Sequence, residues 1–517
     1  MEEYLGKSKK VLFRIIFGRT LITIIFIIIQ FLIFLFMLGW MKDYAAQMAG
    51  MMSIISFIVL VYIINKEESP EYKITWIILI CILPILGLLL YAYVKTNIGY
   101  RKLKREICFI EESSKNILGI ENLTNEDLSS VSSDVRGLFY YLQNTCGFPV
   151  YKNCNITYFP VGENKFVSMM EEIEKAKEFI FMEYFIIERG YMWNTILELL
   201  KKKAKEGIEV RVMYDGMCSI ALLPYDYPKD LQSMNLKAKM FSPIHPLFST
   251  EQNNRDHRKI LIIDGKVAFN GGVNIADEYI NQKDKFGHWK DNAVKIEGGA
   301  VNAFTRMFLQ LWNAGLKEIE SFEPYFREVN NEKEIDGYVL PYADGPTNNR
   351  DIAKRVYLEL IDKARRYINI ITPYFIVEQD FIETLCYAAE RGVEVNILVP
   401  GIPDKKIPFM IAHTFFPRLL SSGVKIHKYT PGFTHAKMMV VDNEIAVIGT
   451  INLDYRSLYL HFECATLIYR NDVIGEMERD FNESLSISAE YTLDDYYKIN
   501  LLNRIIARFY RMFGPLM

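Results

Sequence analysis

Cysteine and histidine are scarce in this chain, at seven residues each among 517. The cysteines, Cys81, Cys108, Cys146, Cys154, Cys218, Cys386 and Cys464, form no C-x-x-C pair and are odd in number. That excludes a disulfide framework or zinc ribbon and points to free thiols in a reducing compartment. A basic excess is also missing: 60 Lys and Arg face 63 Asp and Glu, for a formal net charge of −3. Nucleic-acid binders draw most of their affinity from neutralised phosphates, so no nucleic-acid partner is expected. Disorder is excluded because 50% of residues are hydrophobic and 14% aromatic. A mean hydropathy of +0.05 is too low for a many-helix transporter, yet high for a soluble enzyme. The apolar residues must therefore be concentrated somewhere.

They are concentrated near the start. Residues 20–40, 45–64 and 75–94 are three uncharged apolar runs, the last interrupted by Pro84 and Gly87. About 20 apolar residues cross the ~30 Å hydrocarbon layer, so each run is a candidate span. Trp40, Trp76, Tyr91 and Tyr93 lie near run ends, where amphipathic rings favour the interface. Orientation is contradictory. The N-terminal flank (Lys7, Lys9, Lys10, Arg14, Arg19) and the flank after the third run (Lys95, Arg101, Lys102, Lys104, Arg105) both favour the cytoplasmic side. Three full crossings would separate them.

The expected organisation is a membrane-anchor region at 1–98, a helical linker at 99–140, α/β domains at 141–325 and 326–490, and an amphipathic helix at 491–517. In that last segment Arg504, Arg508 and Arg511 share one face while Leu501, Leu502, Ile505, Ile506 and Phe509 can face elsewhere. Such a helix can lie on an anionic surface. Within the α/β part, β-type runs alternate with helical ones, and the pattern occurs twice.

The second occurrence is specific. His257, Lys259, Asp264, Gly271 and Asn274 recur as His435, Lys437, Asp442, Gly449 and Asn452, all at one offset of 178 (435 minus 257, for instance). Each His-x-Lys runs into four apolar residues, a strand entering a buried sheet with His and Lys on one face. Asp264-Gly265 and Asp442-Asn443 are tight-hairpin signals, and a returning strand would bring Gly and Asn back beside His and Lys. This set suits phosphodiester chemistry without a metal. Lysine charge and asparagine N–H donors serve the nonbridging oxygens. One imidazole attacks phosphorus and the other protonates the leaving oxygen, which is why two copies are needed. His245, His288, His413, His427 and His461 are expected to be structural.

These residues resemble the two H-x-K-x4-D motifs, each followed by G-[GST]-x-N, of the phospholipase D superfamily. The resemblance implies tandem phospholipase D-like α/β sandwich domains with pseudo-twofold symmetry behind a transmembrane helical region. It implies a phosphohistidine intermediate, with His257 as nucleophile and His435 as acid–base group. Catalytic residues would be His257, Lys259, Asp264, His435, Lys437 and Asp442, although the aspartates fit a hairpin role better than proton donation. Phosphate would be bound by Lys259, Asn274, Lys437 and Asn452. Asp291 and Glu463 stand where family members place an acid that orients the imidazoles. Gly271, Gly272, Gly449 and Thr450 complete the supporting set, with no metal or cofactor. Gly271–Tyr279, His288–Asp291, Pro400–Lys405 and Gly449–Ser457 look like the bacterial cardiolipin synthases within that superfamily. That would make the chain a multi-pass protein of a bacterial plasma membrane, with cytoplasmic catalytic domains and membrane phospholipids, notably phosphatidylglycerol, as substrates. A phospholipase D-type hydrolase is the alternative, ahead of a nuclease or an inactive lipid-binding scaffold; oligomeric state stays open. Three departures are the additional run Thr20–Trp40, Val377 where members often carry Pro, and Lys290 where Arg is more usual.

Overall fold

The computed structural model describes residues 25–32, 44–96, 100–118, 131–243, 253–328, 334–348 and 350–516. The chain divides into two compact units. One comprises Met1–Leu103, Ile244–Asn253 and Phe509–Met517; the other comprises Lys104–Pro243 and Asn254–Arg508.

In the first unit, Ala46–Ile64 is, among the described residues, the one helix long and apolar enough to cross a bilayer by length and composition. Of the run 20–40, residues 25–32 are helical and the rest lies outside the described residues, as does the N-terminal basic flank. The third run is not one span. It forms two helices, Pro70–Ile82 and Pro84–Thr96, broken at Leu83. Pro84 has no N–H to give and pushes the preceding residue out of the helical region; Leu83 sits at φ −131°, ψ 75°. The second helix folds back on the first. Trp76 meets Tyr91 edge-on at 5.2 Å between ring centroids, Lys95 pairs with Glu68, and Lys95 Nζ lies 4.6 Å over the Tyr72 ring. Gly87 permits the close crossing, since a Cβ there would come 2.7 Å from Ile80 Cα. Thirteen residues at 1.5 Å rise span about 20 Å, short of the hydrocarbon thickness.

The second unit holds two sheets. The first is built from β1 (Asn155–Phe159), β2 (Phe179–Tyr184), β3 (Glu209–Asp215), β4 (Lys237–Phe241), β5 (Lys259–Ile263), β6 (Val267–Gly271) and, after the short β7 (His288–Lys290), β8 (Ala293–Glu297). Its order is β1-β8-β6-β5-β2-β3-β4. The second lobe adds β9 (Tyr338–Asp344), β10 (Tyr367–Ile371), β11 (Phe375–Ile376), β12 (Glu394–Pro400), β13 (Lys425–Tyr429), β14 (Gly432–Thr434), β15 (Met438–Val441), β16 (Ile445–Gly449), β17 (Leu453–Asp454), β18 (Glu463–Tyr469) and β19 (Ser488–Tyr491). The second sheet runs β19-β13-β12-β10-β15-β16-β18-β9. Read from β9, it repeats the first strand for strand, with β19 added at the edge.

Each main sheet pairs the strands joined by helices in parallel (β2-β3-β4 and β10-β12-β13) and its remaining strands antiparallel, while the short pairs β11–β17 and β7–β14 are parallel. Strand β2, FIFMEY, is buried at every position, as a sheet covered on both faces requires. Helix Val301–Asn313 is buried throughout Ala303–Asn313 and packs on β5 and β6 of the first sheet and β9 of the second. Its polar residues Thr305, Arg306, Gln310 and Asn313 are buried along with the apolar ones.

Both motif hairpins turn as the Asp-Gly and Asp-Asn signals require. Asp264 and Gly265 have φ of 54° and 66°, and Asp442 and Asn443 have 56° and 54°. The aspartates hold the sheet from there. Asp264 accepts the backbone N–H groups of Lys177, Glu178 and Phe179 at 2.7–2.9 Å. Asp442 does the same for Arg365, Arg366 and Tyr367 at 2.8–2.9 Å. Removing Asp264 strands the buried Phe179 donor and the half-buried ones of Lys177 and Glu178, while those of Arg365 and Arg366 are exposed to water. Asp264→Ala should therefore cost about 2–3 kcal/mol of stability and Asp442→Ala less. Thermal unfolding of the detergent-solubilised chain tests this; equal midpoints for both variants and the parent would refute the bracing role.

Candidate active site

The histidine of each motif sits at the start of a central strand, and its backbone is tied to the other lobe. The His257 N–H donates to the Phe462 carbonyl at 2.9 Å, and the His435 N–H donates to the Lys290 carbonyl at 2.7 Å. Strand β14 pairs in parallel with β7 across the lobes, and Asp256 forms an isolated bridge with Phe462. These ties place the carboxylate next in sequence against the imidazole. Nδ1 of His257 lies 2.8 Å from Glu463 Oε1 and 3.0 Å from Oε2. Nδ1 of His435 lies 2.6 Å from Asp291 Oδ2. The two expected orienting acids are thus present but crossed: each serves the other motif's histidine. With Nδ1–H donating to the carboxylate, Nε2 carries the ring's lone pair.

The supporting positions differ between copies for a steric reason. Thr450 donates its hydroxyl to Glu463 and accepts the Cys464 N–H at 3.1 Å. Its counterpart Gly272 has no side chain because a Cβ there would come 2.0 Å from Asp291 Oδ1. Gly271 and Gly449 lie flat on the neighbouring strand, where a Cβ would come 2.5 Å from Ala293 Cα and Ala465 Cα.

Lys259 and Lys437 are fully buried beside the imidazoles. Lys259 Nζ donates to the His257 carbonyl at 2.5 Å. Lys437 Nζ donates to the His435 carbonyl and lies 2.8 Å from His435 Nδ1. Burial lowers their pKa to about 8 and about 7, against the pull of Glu463 and Asp291. Burial and the surrounding Lys259, Lys437 and Lys405 hold both histidines well below their ordinary pKa, hence neutral. Asp291 is pushed up to about 7 by burial, offset by Lys437. A negatively charged ligand between the lysines would favour their charged forms.

Some expected site residues stand elsewhere. Asp264 and Asp442 are not among the histidines: each lies at the far end of its strand, about 17 Å of extended chain from the lysine, bound to backbone amides. Their catalytic assignment is corrected to a structural one. Asn274 is committed as well, accepting the Ile186 N–H at 3.1 Å and donating to the Tyr279 hydroxyl at 2.8 Å. It reaches the site through Tyr279, whose ring meets His435 edge-on at 5.4 Å. Asn452 is buried, and its Oδ1 has no hydrogen-bond partner among the described residues. Lys290 pairs with buried Asp480 at 2.7 Å, a structural contact.

Sequence reasoning missed the aromatic walls. Phe185 packs edge-on to His257 at 4.8 Å, and Trp289 lies 5.6 Å from His435. His461, expected to be structural, packs 5.4 Å from the His257 ring, with Nδ1 3.8 Å from Glu463 Oε1. Its place directly before Phe-Glu463 was the available signal. His288 meets the Tyr429 hydroxyl at 2.9 Å, His413 packs on Phe409 and His427 pairs along β13, while His245 is outside the described residues.

The chain matches the family described as "Cardiolipin synthase, PLD-like domain" at residues 169–312 and 357–485. It matches "Phospholipase_D-nuclease N-terminal" at 54–94. It is 47% identical over 456 residues to an uncharacterized protein of Streptococcus mutans, covering 88% of this chain and 99% of that one. It is 32% identical to a cardiolipin synthase of Halalkalibacterium halodurans (88% and 91% covered). It is 31% identical to one of Alkalihalophilus pseudofirmus (93% and 95%). A phosphatidylserine synthase structure from Haemophilus influenzae shares the fold, with a TM-score of 0.57 at 17% identity over 74% of this chain and 98% of that one.

Burial drives the His461 pKa down to about 3, with Arg456 and His257 adding to the effect and Glu463 opposing it. The unfolded imidazole titrates near 6.5. Below that pH the unfolded chain binds a proton that the folded chain does not, so stability falls as pH drops from 6.5 toward 3. His257 and His435 act with the same sign; Asp291, protonated earlier in the folded state, opposes them. His461→Asn should flatten the dependence of the unfolding midpoint on pH across that window. An unchanged slope would mean that His461 is not held neutral.

Proposed function

The chain belongs to the phospholipase D superfamily, in its bacterial cardiolipin synthase branch, and from that premise we propose that it joins two phosphatidylglycerol molecules into cardiolipin and glycerol. The observation that carries the reading is the pair of histidines, each held by a carboxylate from the opposite lobe with a buried lysine beside it. Nε2 of His257 attacks the phosphorus of the first lipid. The bond from phosphorus to the headgroup glycerol oxygen breaks, and His435, protonated at Nε2, gives that oxygen its proton. A headgroup hydroxyl of the second lipid then passes its proton to His435 and attacks phosphorus. The phosphorus–nitrogen bond breaks and His257 is restored. One phosphodiester replaces another, so no nucleotide drives the step.

Lys259 and Lys437 stabilise the nonbridging oxygens as charge shifts onto them in the transition state. The substrate's negative charge favours protonation of His435, which the surrounding lysines otherwise disfavour. Glu463 and Asp291 fix the imidazoles and stabilise their charged forms.

Membrane attachment supports the same reading, because both substrates are lipids. If the first two apolar runs cross and the hairpin Pro70–Thr96 returns to the side it left, both basic flanks lie in the cytoplasm. The sequence-level contradiction then disappears. Helix Leu501–Arg511, with Leu501, Leu502, Ile505 and Phe509 exposed, suits the membrane surface.

Incubated with phosphatidylglycerol alone, the purified protein should yield cardiolipin and glycerol in equal amounts by mass spectrometry. Phosphatidic acid without cardiolipin would identify a hydrolase instead. His257→Ala and His435→Ala should each lower turnover by about 10³-fold or more, and near-full activity in either would refute the paired mechanism. For topology, cysteines introduced singly at Lys42, Lys66 and Lys102 of a cysteine-free chain are probed with an impermeant maleimide on intact cells. Labelling is expected at 42 alone, and labelling at 66 or 102 before permeabilisation would overturn the arrangement.

A further inference from the structure

On the reverse of the first motif lies a cavity of about 570 Å³ that the proposed mechanism does not use. Arg258 is its link to the motif. It stands between His257 and Lys259, and backbone alternation sends its side chain to the opposite face from theirs. There it lines the cavity with Lys115, Arg306, Arg350 and Arg355. Arg258 and Arg306 are 1% and 2% exposed, and each has an Nε–H with no acceptor among the described residues. Lys115, Arg306, Arg350 and Arg355 form no ion pair among the described residues.

Three carboxylates also line the cavity: Glu111, Glu112 and Asp344. Asp344 is already satisfied, accepting from the Gly345 and Ala353 amides at 2.8 and 2.7 Å and from Asn348 Nδ2 at 3.0 Å. Burial raises the Glu111 pKa, offset by the Thr347 hydroxyl and by Arg258 and Arg306. Arg258 Nη1 also lies 3.9 Å from buried Glu183 Oε1; the other four cations, Lys115, Arg306, Arg350 and Arg355, still outnumber the three lining carboxylates. Two buried guanidinium N–H donors without acceptors are a costly arrangement that an anionic oxygen would relieve.

We propose that this cavity is a second anion site, taking a phosphate group on a ligand separate from the reacting diester, and that its occupant modulates the His257–Glu463 pair. Two strand connections support the coupling. Arg258 is bonded directly to His257 in the chain, and Asp344 is the register partner of Glu463 in the β9–β18 pair. Arg258 is itself held, donating from Nη1 to the Met307 carbonyl at 3.1 Å, so a ligand that draws its guanidinium pulls on the strand carrying the histidine. The modulation rests on the catalytic reading above; the binding does not.

The test uses the full chain in detergent micelles. Inorganic phosphate is titrated calorimetrically, and in a separate arm the unfolding midpoint is followed with micelles doped with phosphatidylserine or phosphatidylcholine. Arg350 and Arg355 are exposed, so Arg350→Gln/Arg355→Gln should fold normally. It is expected to weaken binding at least tenfold, while His257→Ala/His435→Ala retains it. Response to phosphate alone identifies a free phosphate ligand; response to phosphatidylserine but not phosphatidylcholine or phosphate identifies a lipid headgroup. Parental binding in the arginine variant, or no response to either probe, overturns the site. In the assay of cardiolipin formation at fixed phosphatidylglycerol, the active probe, phosphate or phosphatidylserine, should change the parental rate at least twofold and leave that of the arginine variant unchanged. Binding without a rate response overturns the coupling. Because the binding arms need no turnover, failure of the site is distinguishable from failure of the catalytic reading.

Discussion

The exchange of carboxylates between lobes is the interaction on which the rest of the site depends. Glu463 reaches back 206 residues to His257, and Asp291 reaches forward 144 residues to His435. A buried imidazole with a free Nδ1 could rotate or change tautomer; the crossed carboxylates remove both freedoms. The backbone ties beside them, His257 to Phe462 and His435 to Lys290, make the exchange a property of strand register rather than of side-chain choice. Other features accommodate it: Gly272 leaves room for Asp291, Thr450 anchors Glu463, and β7 meets β14. The lobes therefore form one site and not two.

Burial sets the electrostatics of that site. Burial lowers the pKa of the two lysines and two histidines in that dry interior, and repulsion among them adds to it for His257, His435 and Lys437. Such an array is poised for an anion: charge that is expensive before binding becomes favourable once a phosphodiester lies among it. The cavity behind Arg258 repeats the same physics with guanidinium groups, which keep their charge where lysine and histidine would surrender it.

What the sequence made legible was local. The His-x-Lys strands, their Asp hairpins and the alternation of strands and helices are readable at short range, and the two sheets follow from them. The identities of the orienting acids were readable as well, but not their crossing, which depends on pairings between residues more than a hundred positions apart. The aspartates illustrate the limit. Spacing placed them in the motif, but their partners, the amides entering β2 and β10, lie more than seventy residues upstream. The third apolar run failed differently. Hydropathy does not register backbone geometry, so 75–94 reads as a continuous span although Pro84 and Gly87 encode its fold-back. His461 and Arg258 escaped notice because a lone side chain carries no period.

The hairpin at Leu83–Pro84 has a mechanical corollary. A helix that crosses a bilayer has two ends to match to two interfaces, and a change in thickness obliges it to tilt or deform the lipid. A hairpin of two short helices, if inserted from one face, keeps both termini at that face and its bend within the hydrocarbon. Its depth is then set by one leaflet alone. Such an anchor keeps its register with the near headgroups when the bilayer thins or thickens.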